Sequence, residues 1–229
     1  LGNLMAPRLS FWYHMFGADM GTIDVYAISG DTTALLFTQT GPVQSSDTDP
    51  WIEVIGDLSP FVGEIIQLEF RGTRGTGFTG DMAIDDVLVY EPSDVDAASI
   101  GVIPTGASCY TSAEDITVLV RNLGNQVLDF STDPLTVTVD VTGASTQNFS
   151  TTINTGTLGI LDTLPVVVTT TADLTATGFH NFTAYVAVAA DTINSNDTTL
   201  AFAEGLTVFT APYTEDFETF TTGLPGILN

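Results

Sequence analysis

Lysine is absent from this 229-residue chain, and its only cationic side chains are four arginines: Arg8, Arg71, Arg74 and Arg121. Set against 28 Asp and Glu, they leave a formal charge of −24. A surface so short of basic groups cannot neutralise a phosphate backbone, which excludes nucleic acid as a partner. Adhesion to anionic lipid through a basic patch is excluded for the same reason. No run approaches ~18 consecutive apolar residues, so no membrane insertion is expected of this stretch. Cysteine occurs once, at Cys109, which gives no disulfide framework. Strong helix formers are scarce, and no long segment carries a 3.6-residue apolar period. Disorder is excluded in turn: 44% of residues are hydrophobic and 10% aromatic, too much for an acidic tail.

What is there reads as β throughout. Thr, Val, Ile, Phe and Tyr recur in short runs, and such residues suit a pleated, half-buried surface. Strands are expected over Leu9–Phe16, Thr22–Ser29, Ala34–Gln39, Trp51–Ile55, Ile65–Phe70 and Met82–Tyr90. Clusters of Gly, Pro, Asp and Ser separate them. After Glu91-Pro-Ser-Asp94 aromatics thin out and Thr/Val alternation takes over. Further strands are expected over Ala97–Pro104, Asp115–Asn122, Leu135–Thr142, Asn148–Asn154, Pro165–Ala172, Asn181–Ala190 and Thr198–Val208. About seven strands in this space is the count of an immunoglobulin-like sandwich. In Leu135–Val141 every second residue is apolar, so one face is buried and the other wet. Asp191–Asp197 reads as a hairpin loop whose side chains bond their own backbone.

The charge divides evenly. Residues 1–91 carry 13 acids and 3 Arg, residues 92–208 carry 12 acids and 1 Arg, and residues 209–229 carry 3 acids. It is a property of folded surfaces, with no acidic block. The first seven residues show no signal peptide, and Gly223–Asn229 reads as the middle of a segment; a piece of a longer chain is expected.

Two stretches carry a resemblance. Pro7-Arg-Leu-Ser-Phe-Trp-Tyr-His-Met-Phe-Gly17 with Ala18-Asp-Met-Gly-Thr-Ile-Asp-Val-Tyr26 resembles the central strands of a MAM domain. Phe70-Arg-Gly, followed by Gly80-Asp-Met-Ala-Ile-Asp-Asp-Val87, resembles that family's closing strand. The resemblance implies a jelly-roll β-sandwich and a role in extracellular adhesion. The family's opening strands have no counterpart before Leu1, whereas Tyr213-Thr-Glu-Asp-Phe-Glu-Thr219 with Gly223-Leu-Pro-Gly226 resembles such a beginning. The middle of the chain resembles bacterial adhesion-related Ig-like domains. The expected organisation is therefore the C-terminal part of a MAM-like domain (1–91), an Ig-like β-sandwich (92–208), and the start of a second MAM-like domain or a donor strand (209–229). Incomplete sheets present unpaired backbone groups, so neighbouring repeats or copies are expected to pair through sandwich edges. Missing residues of the same chain would complete the sheets equally well.

Few residues offer chemistry. The resemblance implies that Asp81, Asp85 and Asp86 on the closing strand approach Glu215, Asp216 and Glu218 at an opening strand to hold Ca²⁺. Hard divalent ions take six to eight oxygens, with carboxylates supplying charge. The alternative is a solvated or N–H-capping set of acids. Asp191, Asn194, Asn196 and Asp197 read better as a turn than as an ion loop. Asp47, Asp49, Asp94 and Asp96 read as loop charge. Arg71–Gly80 is Gly-rich but lacks the Gly-Lys-Ser/Thr of a phosphate loop, and reads as a hairpin loop. Arg71 and Arg74 are left to contact an acidic partner or to clamp carboxylates within the array. His14 has no metal-ligand neighbour at useful spacing and reads as a packing residue; His180 lacks one too, and a Cys109–His180 nucleophile pair has nothing to support it. Cys109 itself reads as a buried small hydrophobe, or else as the partner of an outside thiol. Trp12, Tyr13 and Trp51 read as core or sheet-face aromatics. Asp-Thr pairs resembling a bacterial O-glycosylation signal mark Thr32, Thr163, Thr192 and Thr198.

No convergent catalytic set is visible, so a non-enzyme is expected. The composition and the resemblance together point to an adhesive module of a large secreted or cell-surface repeat protein, with glycans or surface proteins as partners. The alternative is a non-catalytic accessory region of a secreted hydrolase such as a protease.

Overall fold

The computed structural model describes residues 1–207, which are almost entirely β. Among them there is no α-helix, only a 3₁₀ turn at Ser59–Phe61. Two hydrophobic cores form, and they share no residue. The expectations that fall on 208–229 lie outside the described residues.

The first core lies between two three-stranded sheets. One has the order β4 (Ile52–Asp57), β1 (Arg8–Phe16), β6 (Asp81–Tyr90); the other β3 (Thr32–Thr40), β2 (Thr22–Ser29), β5 (Gln67–Thr73). All pairings are antiparallel. Alternation on β1 sends Leu9, Phe11, Tyr13 and Met15 inward, and β2 answers with Ile23, Val25 and Ala27. Phe11 meets Phe37 and Phe70 edge-on, with ring centres 5.6 and 5.3 Å apart, which ties the two sheets together. Tyr13 is buried in this core, while Trp12 and Trp51 stand on the outer sheet face.

The second core lies between a three-stranded sheet and a five-stranded one. The small sheet runs β14 (Thr163–Ala172), β9 (Glu114–Asn122), β7 (Ala97–Ile103). The large one runs β12 (Gln147–Ile153), β11 (Leu135–Gly143), β15 (Gly178–Ala187), β16 (Thr198–Gly205), β8 (Gly106–Ser108). β8 joins in parallel. A short pair, β10 (Leu128–Asp129) with β13 (Thr157–Leu158), flanks them. Leu135, Val137, Val139 and Val141 all face inward, as their alternation requires.

Every strand expected within 1–207 forms, with ends moved by a few residues. The three short strands β8, β10 and β13 were not expected; two or three residues carry no periodic signal. The stretch Arg71–Gly80 ends β5 and continues as a loop, Arg74–Gly80, that is not a hairpin. It links β5 to β6, which lie in different sheets, so it crosses from one layer of the sandwich to the other. Asp19 holds the crossing loop, accepting from Thr76 and Thr79 hydroxyls and the Thr79 N–H. Those bonds also hold the Asp19 carboxyl below its usual range. Gly75 and Gly77 press so closely on Asp19 that a Cβ at either would fall about 2 Å from its oxygens. Asp191–Asp197 is a true hairpin between β15 and β16, with Asp191 Oδ1 accepting from the Ile193 N–H at 2.8 Å.

Candidate functional site

The outer face of sheet β4-β1-β6 gathers the chemistry of the first sandwich. Trp12 stands across from Glu53 on β4 and Asp85 on β6. Trp12, Trp51, Asp85 and Asp86 line an open cavity of about 240 Å³. His14, on the same face of β1, is buried beneath, its ring 5.6 Å from that of Trp51. Packing is therefore its role, as expected. A bulge in the β1–β6 register between Ser10 and Trp12 accompanies a left-handed Asp86 (φ 49°), whose N–H donates to Asp85 Oδ1 at 2.8 Å. Asp is among the few residue types that accept this conformation.

Asp81 does not belong to this group. It pairs with Phe16 at the far end of β6, four residues from Asp85 and so about 13 Å away along the strand. An ion at Asp85 and Asp86 cannot share it. Among the described residues no group of three His, Cys, Asp or Glu is placed to hold a metal. Glu215, Asp216 and Glu218, the other acids expected there, lie outside the described residues.

β6 is also an edge. Among the described residues it pairs only with β1, and Val87, Leu88 and Val89 are about half or more than a third exposed. The apolar run at its end, Val87–Val89, makes this edge a template for another strand.

Sequence reasoning missed three features of the second sandwich. His180, fully buried, sits between the Ser145 hydroxyl and the Ala176 carbonyl, both 2.9 Å from its ring nitrogens. Its partner is thus serine and not Cys109, which is exposed on the surface rather than buried as expected. The ring satisfies itself locally and pins the β11–β12 turn to β15. Asp96 is the second: 7% exposed, it is not loop charge. Burial pushes its carboxyl pKa up, against a bond from Asn196 Nδ2 at 2.8 Å. The third is Asp197, whose Oδ1 is buried with no hydrogen-bond partner among the described residues. Burial, then the charges of Asp191 and Asp96, raise it to about 6. Three acids converge here because β7 and the β15–β16 hairpin pack together, a juxtaposition of residues a hundred apart.

Elsewhere the remaining residues fall into place. Arg71 pairs with Glu69 and lies 4.7 Å from the Tyr26 ring centre, so it clamps a carboxylate of its own strand. Asp49 accepts from Ser45 and Ser46 and closes a turn. Thr32, Thr163, Thr192 and Thr198 are all exposed.

Comparison with known proteins matches residues 5–93 to the family described as MAM domain, meprin/A5/mu. A MAM domain occupies that part of the chain. The mouse and human MAM domain-containing glycosylphosphatidylinositol anchor protein 2 are 38% identical to it over 86 residues, 36% of this chain and 8% of theirs. Neuropilin-1 of Xenopus laevis is 32% identical over 87 residues, 37% of this chain and 9% of its own. The chain thus spans less than a tenth of these relatives, and the likeness falls on the MAM domain. The Trp12/Trp51 face, the Asp85-Asp86 pair and the β6 edge all belong to the MAM domain, whereas His180 and Asp197 lie beyond it. No helix among the described residues is long and apolar enough to cross a membrane.

Proposed function

We propose that this chain is a non-catalytic adhesive module of a large, extracellular, tandem-repeat protein of bacterial type. The observation that carries this reading is the β6 edge of the MAM domain, which no strand among the described residues covers. Its residues 87–89 are apolar and uncovered, which suits pairing with a further strand. The proposed organisation is the C-terminal part of a MAM domain, an Ig-like sandwich over 92–208, and a MAM-like beginning at Tyr213–Thr219. That beginning, from a neighbouring copy or repeat, supplies the strand for β6. Glu215, Asp216 and Glu218 then approach Asp85 and Asp86, and Ca²⁺ bridges them. Repetition turns weak contacts with glycans or surface proteins into avidity.

The test is sedimentation velocity over a range of protein concentration, with Ca²⁺ and with chelator. The expected result is concentration-dependent assembly that Leu88→Lys abolishes, because a charge on an edge strand blocks pairing. A wild-type chain that stays monomeric at every concentration, with Leu88→Lys indistinguishable from it, would overturn the proposal.

A further inference from the structure

Among the described residues the two sandwiches have separate cores, and no strand of one pairs with a strand of the other. A chain built this way commonly flexes at its connection. Here the connection, residues 91–96, is strapped at both ends, and one buried cation crosses it.

Arg8 begins β1 and is only 3% exposed. Its backbone pairs with Asp57 of β4 and Tyr90 of β6, at the end of the first sheet where the connection leaves. Its guanidinium leaves that sandwich. Nη1 donates to the Leu123 carbonyl and Nη2 to the Gly124 carbonyl, in the turn that follows β9 of the second sandwich. The planar fork of Arg suits two adjacent carbonyls, and bonds from a charged donor are stronger than neutral ones. Arg8 also pulls on the Tyr90 hydroxyl, opposing the rise in its pKa that burial causes.

The receiving turn is itself rigid. Leu123 and Gly124 N–H groups donate to the Asp96 carbonyl at 2.8 and 3.2 Å, Asn125 N–H to Ser93 at 2.9 Å, and Gln126 N–H to Asp94 at 3.2 Å. These four bonds lay the connection along the turn like an added strand. Asn122, fully buried, locks the turn from behind, donating to the Gln126 and Leu158 carbonyls and accepting from the Gly124 N–H. No Cβ fits at Gly124: it would lie 2.6 Å from the Asp94 carbonyl oxygen and 2.9 Å from the Asp96 nitrogen. On the first sandwich, Glu91 accepts from the Met5 and Ala6 N–H groups at 2.9 and 2.8 Å, which holds the segment leading into Arg8.

We infer that Arg8 is the latch that fixes the MAM domain onto the second sandwich, so that the two tumble as one stiff body. The strap fixes the carbonyls that Arg8 holds to the second sandwich, so a swing of one sandwich against the other must break the Arg8 bonds. In an array such stiffness keeps successive binding faces in register.

Residual dipolar couplings on the full 229-residue chain read this directly. A single alignment tensor is expected to fit amides of both sandwiches in the wild type. Arg8→Ala is expected to require two tensors, and Arg74→Ala, far from the junction, one. Gly124→Ala attacks the latch from the other side, and it decides the matter if Arg8→Ala unfolds β1. Two tensors in the wild type would overturn the inference. So would a single tensor in both Arg8→Ala and Gly124→Ala.

Discussion

Asp197→Asn is expected to stabilise the protein at neutral pH. The carboxyl lies just before β16, its Oδ1 buried without a partner among the described residues, with Asp191 and Asp96 nearby. Its pKa of about 6 in the fold stands about two units above the ordinary carboxylate value. A folded-state pKa above the unfolded one means that the native protein binds the proton more tightly. Stability therefore grows as pH falls from about 6 toward 4, and declines as pH rises through that window. At pH 7 the ionised group is a net cost. Two units convert to ~3 kcal/mol without screening; the residue is only partly buried, and solvent screening brings the figure down to about 1 kcal/mol. Asparagine keeps the shape and drops the charge. No side-chain bond of Asp197 is lost, and the Val186 N–H to Asp197 carbonyl bond, 3.0 Å, belongs to the backbone. The assay is thermal melting of both proteins between pH 4 and pH 7. A rise of about 4 °C is expected at pH 7, shrinking toward zero near pH 4. The carboxyls held low by hydroxyl and backbone bonds, Asp19, Asp49, Asp129 and Asp173, do not confuse this window. Their contribution is complete above about pH 4 and is lost only below it. An Asn variant that melts lower at pH 7, or a gap unchanged with pH, would refute the reasoning.

Other outcomes follow from the same structure. Asn122→Ala removes three buried bonds, two to carbonyls and one from the Gly124 N–H, which keeps its longer bond to the Asp96 carbonyl, so a loss of about 2 kcal/mol is expected in urea unfolding; a loss under about 0.5 kcal/mol would show the turn to be held by other means. Trypsin has few sites in a chain without lysine, and Arg74 is the arginine exposed in a loop. A first cut after Arg74 is expected, faster in Asp19→Ala, whose crossing loop has lost its anchor; an equal rate in both proteins would count against that anchor. If Ca²⁺ bridges Asp85 and Asp86 as proposed, the melting temperature rises with Ca²⁺ over chelator and the rise vanishes in Asp85→Asn. Glycosylation at Thr32, Thr163, Thr192 and Thr198 would appear as mass above 24.2 kDa in protein from its natural source, and an unshifted mass would remove it.

The strands were legible because their signal is local. Alternation in Leu135–Val141, or in Leu9–Met15 around the outward Trp12, follows from the two-residue period of a pleated strand and needs no knowledge of a partner. The MAM signature around Phe11–Gly17 and Gly80–Val87 was legible in the same way. The candidate site was legible only in part. Asp85 and Asp86 do share a face with Trp12 and Trp51, but Asp81, which the resemblance places on the same closing strand, does not join them. Strand rise separates them. Ser145 with His180, and Asp96 with Asp197, were not legible at all, since each pair joins elements 35 to 101 residues apart.

By itself the sequence determined an all-β protein with an acidic surface, its strands nearly in place and a MAM domain at one end. Composition and short-range periodicity are enough for that, because they act within a few residues. Only the tertiary structure decided which sheet each strand enters, and hence that Arg74–Gly80 crosses between layers. It also decided the fate of individual charges. Asp49 and Asp96 look alike as loop acids, yet one closes a turn in water and the other is buried. Arg8 looks like one of four surface arginines, yet it alone is buried and reaches across the junction. A charge acquires its character from its solvent and its neighbours, and both are set by parts of the chain far from it.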